Sequence, residues 1–148
     1  MKTIYTILAI FMSINLFAQE ELTSFRGWEW GTSYNEIASQ LTPADTKTTF
    51  GMKPFHKIDE DLNFEGIDVD NIIYLFKRKK FVAATVAMHT DHLDEIIRIF
   101  TEKYGEPKIV EAFVLTNHEW HIPTADIAIT KIPSASNGIG VSVQIKGK

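Results

Sequence analysis

Apolar residues recur along the chain with two distinct periods. Tyr34, Ile37, Ala38 and Leu41 fall at i, i+3, i+4 and i+7, and Ser33 with Glu36 has the S-x-x-E spacing of a capping box. Pro43 cannot continue a helix, so a first helix is predicted over about 33–42. A second stripe, Leu93, Ile96, Ile97, Phe100 and Tyr104, predicts a longer helix. Thr90 or Asp91 can cap it, Asp94 and Glu95 complement its dipole, and Gly105 and Pro107 end it.

Elsewhere the pattern suits strands. Asn71 to Phe76 and Phe81 to Met88 are rich in Ile, Val and aromatics, with Lys77-Arg78-Lys79-Lys80 as the solvated tip of a hairpin between them. One or two short strands are expected between Phe50 and Glu65. Beyond the second helix come Lys108 to Leu115, His118 to Ile122, Ala125 to Ile132 and Ile139 to Ile145. The last alternates, Ile139, Val141, Val143 and Ile145 against Gly140, Ser142 and Gln144, which predicts one buried and one wet side. Pro133 to Gly138 reads as the hairpin loop before it, Asn137-Gly138 suiting a tight turn. The predicted order is helix, three or four strands, helix, four strands. The expected fold class is α+β: two helices packed on one face of an antiparallel sheet, the other face open to solvent or to a partner.

The N-terminus changes the picture from architecture to address. Lys2, the apolar run Ile4 to Phe17 and the small Ala18 match a secretory signal peptide. The run is too short for the roughly 20 residues that cross a bilayer core, and Gln19-Glu20-Glu21 is not a basic flank. Residues 1–18 are therefore expected to be removed, leaving 19–148 as one periplasmic or secreted α+β domain with no integral membrane segment. No cysteine is present, so neither a disulfide nor a cysteine-linked lipid is available to that domain. The formal charge of −4 argues against a nucleic-acid partner, which basic surfaces hold.

Chemistry-bearing groups are sparse. His89-Thr90-Asp91-His92 and His118-Glu119-Trp120-His121 place four of the five histidines in two H-x-x-H pairs. Along a strand, residues three apart face opposite sides, so the first pair, at a strand-to-helix junction, is the better candidate, with Asp91 as a third ligand. Asp59 with Asp61, and Asp68 with Asp70, are i, i+2 carboxylate pairs that read as solvated turns. Ser134 and Ser136 lie in a turn without a nucleophile elbow, and Gly138-Ile139-Gly140 precedes a strand where a phosphate loop would precede a helix. No catalytic, cofactor-binding or metal residue is assigned, and the partner-binding residues are left unknown.

Phe25-Arg26-Gly27, Trp30-Gly31-Thr32-Ser33 with Glu36, Tyr104-Gly105-Glu106-Pro107 and a strand tryptophan, Trp120, before Asp126-Ile127-Ala128-Ile129 together carry a resemblance. The pattern resembles small secreted bacterial proteins of unknown function, similar in layout to outer-membrane-assembly lipoproteins of the BamE/SmpA type and to the β-lactamase-inhibitor protein. It implies helices on a curved antiparallel sheet and a binding role. The residues themselves read as structural: Trp30 as an aromatic plug, Tyr104-Gly105 as a helix stop, Trp120 as core. The leading expectation is a non-enzymatic protein-binding module of the bacterial envelope, without cofactor, holding a protein partner there. The alternatives are a metal-dependent enzyme built on His89, Asp91 and His92, and an inhibitor or immunity protein for a secreted enzyme.

Overall fold

The computed structural model describes residues 20–48, 50–132 and 140–148. The segment read as a signal peptide, Ser134, Ser136 and the turn from Pro133 to Gly138 lie outside the described residues. The chain opens with a small hairpin, β1 (Ser24–Phe25) and β2 (Trp28–Glu29), followed by one helical turn, α1 (Tyr34–Ile37), and a 3-10 turn (Ala38–Gln40). Then come β3 (Leu41–Pro43), β4 (Lys53–Lys57), a second small hairpin of β5 (Asn63–Phe64) and β6 (Ile67–Asp68), β7 (Asn71–Lys77) and β8 (Lys80–His89). A 3-10 turn (Thr90–His92) leads into α2 (Leu93–Tyr104), and β9 (Lys108–Ala112), β10 (Leu115–His121), β11 (Ala125–Ile132) and β12 (Gly140–Gly147) complete the chain.

Eight strands form one antiparallel sheet in the order β3-β4-β7-β8-β12-β11-β10-β9. The strands before and after α2 each run as a meander, and the last strand of each, β8 and β12, pair at the centre with Val86 opposite Val143. One face, here called inner, is the core. Ile72, Tyr74, Ala84, Val86, Val143, Ile145, Ile127, Ile129 and Trp120 point into it, each at most 2 % exposed.

This corrects the α+β expectation of two helices packed on the sheet: the molecule is mostly β, with two short helices. The helix predicted over 33–42 stops after one turn. Ser33 makes no side-chain cap, and Leu41–Pro43 is extended as the edge strand β3 beside β4. Three physical reasons favour the strand. Thr42 precedes a proline, which pushes it to extended backbone; proline suits an edge; and one or two turns of helix do not hold themselves together in water. Aromatic side chains cover that half of the core instead. Trp28 packs on Tyr74 (4.9 Å between ring centroids) and on Phe81 (6.2 Å), and Phe25 packs on Tyr74 (5.7 Å). Trp30 lies 5.0 Å from Phe81 and donates its indole N–H to the Leu22 carbonyl at 2.7 Å. It also sits so close over Gly147 that a Cβ there would come within 2.3 Å of the ring.

α2 packs where its stripe predicts. Ile96, Phe100 and Tyr104 are buried, and Phe100 meets Trp120 at 5.8 Å and Phe64 at 6.2 Å. The 3-10 turn that leads into it is capped by the ring of His89, which accepts from the Asp91 N–H at 3.3 Å. Its end is tied to the sheet, Trp120 donating to the Gly105 carbonyl at 2.7 Å. Burial pushes the Tyr104 hydroxyl up to about 12, the carboxylates of Glu20 and Glu65 adding to the effect.

Two further expectations need correction. Lys108 to Leu115 is not one strand, because the chain reverses at Phe113-Val114 between β9 and β10. The outward side of β12 is also drier than its alternation suggests: Gly140 and Ser142 are buried along with the valines. Both are small residues in a central strand, so neighbours such as Ala87 and Thr130 shield them.

Candidate functional site

β7 reads Ile72-Ile73-Tyr74-Leu75-Phe76, apolar on both sides, so filling the inner face with Ile72, Tyr74 and Phe76 leaves Ile73 and Leu75 on the outer one. These two, with Val82 and Thr85 of β8, are half-buried on an otherwise open sheet. The segment between β3 and β4 lies along them. Lys47, Phe50 and Met52 make one wall of a groove of about 780 Å³ whose floor continues to Gln144 and Lys146 of β12. Lys47, Lys77 and Lys146 line this groove and no carboxylate does. Phe50, at φ 60, is 82 % exposed at its rim.

Across the same outer face the chemistry reverses. Register places Ile73, Thr85, Gln144, Ala128 and Glu119 in one row across five strands. At the β10 end a polar chain runs from Thr130 to Lys148. Thr130 donates to Asn117 (2.8 Å), Asn117 to Glu119 (3.4 Å), and His121 lies between Glu119 (3.3 Å, through Nε2) and Asp126 (2.9 Å, through Nδ1). Lys148 Nζ reaches Asp126 at 3.1 Å. Burial alone would raise the Asp126 carboxyl, but the hydrogen bonds from His121 and Lys148 outweigh it and hold the group below its ordinary value. Both nitrogens of His121 are engaged by carboxylates. The outer face of the sheet is thus apolar and basic at β7–β8 and carries carboxylates at β10–β11.

The histidine pairs do not assemble a centre. His89 Nδ1 lies 3.1 Å from Asp91 Oδ2, whereas His92 turns to Glu95 at 3.4 Å. His118 and His121 face opposite sides of β10, as strand alternation requires. Among the described residues no three His, Cys, Asp or Glu side chains come together to hold a metal ion. His118 borders a separate hollow of about 370 Å³ on the inner side with Leu93, Leu115 and Lys131, and its Nδ1 is buried there without a partner.

The acidic residues sort as turn residues. Asp61 accepts from the Asn63 N–H at 3.1 Å, Asp68 accepts from the Asn63 side chain at 3.3 Å, and Asp59 and Asp70 are exposed. Glu60 between them is different. It pairs with Arg26 (3.0 Å) and accepts the Tyr74 hydroxyl, and burial followed by that carboxylate raises the Tyr74 ionisation. This joins the β1–β2 turn to the core and is structural. Lys77, Arg78, Lys79 and Lys80 form the exposed β7–β8 tip.

Sequence reasoning missed the groove. Its signal was present in β7, where a continuous apolar run in place of alternation means that both faces carry apolar side chains. The wall formed by Lys47, Phe50 and Met52 has no such signal, because its position depends on the pairing of β3 with β4. Among the described residues no helix is long and apolar enough to cross a membrane. No family model matches this chain, and neither a curated protein nor a solved structure does.

Proposed function

We propose that the chain is a non-enzymatic protein-binding module of the bacterial envelope, exported to the periplasm or beyond, that holds its partner on the outer face of the sheet. One observation carries the reading: a groove of about 780 Å³ with half-exposed Ile73, Leu75 and Val82 on its floor, three lysines around it and no carboxylate. Apolar floor area supplies affinity and unpaired lysines supply orientation toward a partner segment bearing carboxylates. The export-like N-terminus and the resemblance to small secreted proteins support the same reading. The histidine geometry gives the metal-dependent enzyme no comparable support.

The test pairs capture with turnover. The mature chain and an Ile73→Glu/Val82→Glu variant serve as bait on envelope extract, and both are screened with generic hydrolase substrates with and without zinc. A partner lost only in the groove variant, with its melting temperature preserved, is the expected result. Turnover that disappears in His89→Ala or His92→Ala, with no saturable partner, would overturn the proposal. A captured secreted enzyme whose activity falls on binding would identify the module as an inhibitor or immunity protein.

A further inference from the structure

A second recess lies at the tip of the β7–β8 hairpin, beside the groove and separate from it. Its floor is three rings: Tyr34 and Phe55 lie 5.0 Å apart, and Phe76 meets each edge-on at 5.8 and 5.4 Å. Tyr34 and Phe55 are only half-buried, so their faces are available. Lys53, Arg78 and Lys79 stand around a volume of about 280 Å³, with no carboxylate lining it. Among the described residues none of these three cations has an ion-pair partner, and the Tyr34 hydroxyl makes no hydrogen bond.

The backbone makes this placement costly. Lys77 pairs with Lys80, so Arg78 and Lys79 are the two central residues of a tight hairpin turn, both in the left-handed region at φ 51 and 62. Side chains with a Cβ are strained there, and Asn-Gly is the usual solution. The same chain puts glycine at the second central position in the turns Arg26-Gly27 and Glu65-Gly66, at φ 90 and 84. At β7–β8 the second position keeps Lys79 where a glycine would relieve strain.

We infer that this recess binds an aromatic carboxylate, the ring stacking on the faces of Tyr34 and Phe55, which the buried Phe76 holds in place, and the carboxylate meeting Arg78, Lys79 and Lys53. The chemistry follows from the lining. Aromatic faces take a flat ring, a guanidinium takes a carboxylate through two parallel hydrogen bonds, and a volume just under the usual range for drug-sized ligands admits a single ring with a short arm. A free aryl carboxylate and the C-terminal aromatic residue of a polypeptide share this chemistry. The inference does not depend on the groove, since none of these residues lines it.

The experiment titrates the mature chain by calorimetry with 3-phenylpropionate, with its neutral amide, with acetate, and with N-acetyl-Gly-Gly-Phe as free acid and as amide. The acids are expected to bind at least about tenfold more tightly than their amides, as loss of a charge-assisted contact implies. Acetate should be weaker still. Tighter binding of the peptide acid points to a chain end, and equal or tighter binding of 3-phenylpropionate points to a free small molecule. The decisive variant is Arg78→Asn/Lys79→Gly, which matches the turn's conformational demand and therefore folds. Its melting temperature should rise while acid binding falls at least about tenfold. Acid and amide binding alike, acetate binding as well as 3-phenylpropionate, or undiminished binding by the variant would each overturn the inference.

Discussion

Replacing Phe100 by Ala removes the ring that joins α2 to the sheet. Phe100 is 1 % exposed and has three aromatic neighbours, Phe64 at 6.2 Å, Tyr104 at 5.5 Å and Trp120 at 5.8 Å. Truncating a buried phenylalanine costs about 3–5 kcal/mol, depending on how far the surroundings collapse into the space. Here collapse is restricted: Trp120 is tethered to the Gly105 carbonyl, and Phe64 sits in a tight hairpin. The cost should therefore fall in the upper half, about 4–5 kcal/mol. Against a total of about 5–15 kcal/mol for a domain, that leaves a barely stable protein. Urea titration followed by circular dichroism should show a much lower midpoint with an unchanged slope, since the area exposed on unfolding is the same. Ile99, half-buried beside it in sequence, should cost clearly less as Ile99→Ala, nearer the average of about 1 kcal/mol for point changes. Equal losses at the two positions would refute the packing of α2 described above.

Three further outcomes follow from single contacts. Gly147→Ala should destabilise by about 1–3 kcal/mol in the same titration, because the new Cβ would lie 2.3 Å from the Trp30 ring, and Trp30→Ala should largely rescue it. The Tyr104 hydroxyl is pushed up to about 12 in the folded chain, whereas the unfolded chain releases it near 10. Stability tied to it is thus intact below about pH 10 and lost as pH rises from there toward 12, and Tyr104→Phe should move the onset of alkaline unfolding upward. Asp126 is held below its ordinary value, so its contribution is present above about pH 4 and lost as pH falls through the folded value; Asp126→Asn should flatten the acid limb of a melting-temperature profile.

What the sequence discloses is what local pattern determines. The stripe Leu93, Ile96, Phe100 and Tyr104 repeats over three turns and has one solution, and the strands bearing Val86, Ile127 and Val143 pair as antiparallel neighbours of the core. Where the pattern is short, tertiary pairing decides. Leu41 satisfies helix spacing with Ile37 and is buried as well in an extended edge strand, so only the partner strand β4 settles its conformation. Phe113-Val114 carries no turn residues, yet the chain reverses there, with Phe113 at φ 55. The candidate sites were less legible still. Glu119, His121 and Asp126 meet because β10 and β11 pair in one register, and Tyr34, Phe55 and Phe76 meet from three separate segments. The histidine pairs, conspicuous in the sequence, are separated by strand alternation and by two different carboxylates.

The proposal that the outer face holds a protein partner is tested most directly by photo-crosslinking in the intact envelope. A photoreactive side chain would be placed at Thr85 or Gln144 on the groove floor and, as a control, at Glu102 on the exposed side of α2. One discrete protein adduct from the groove positions, absent from Glu102 and abolished by Ile73→Glu/Val82→Glu, is the expected result. Adducts that are the same at all three positions, or none at the groove while the control reacts, would contradict it.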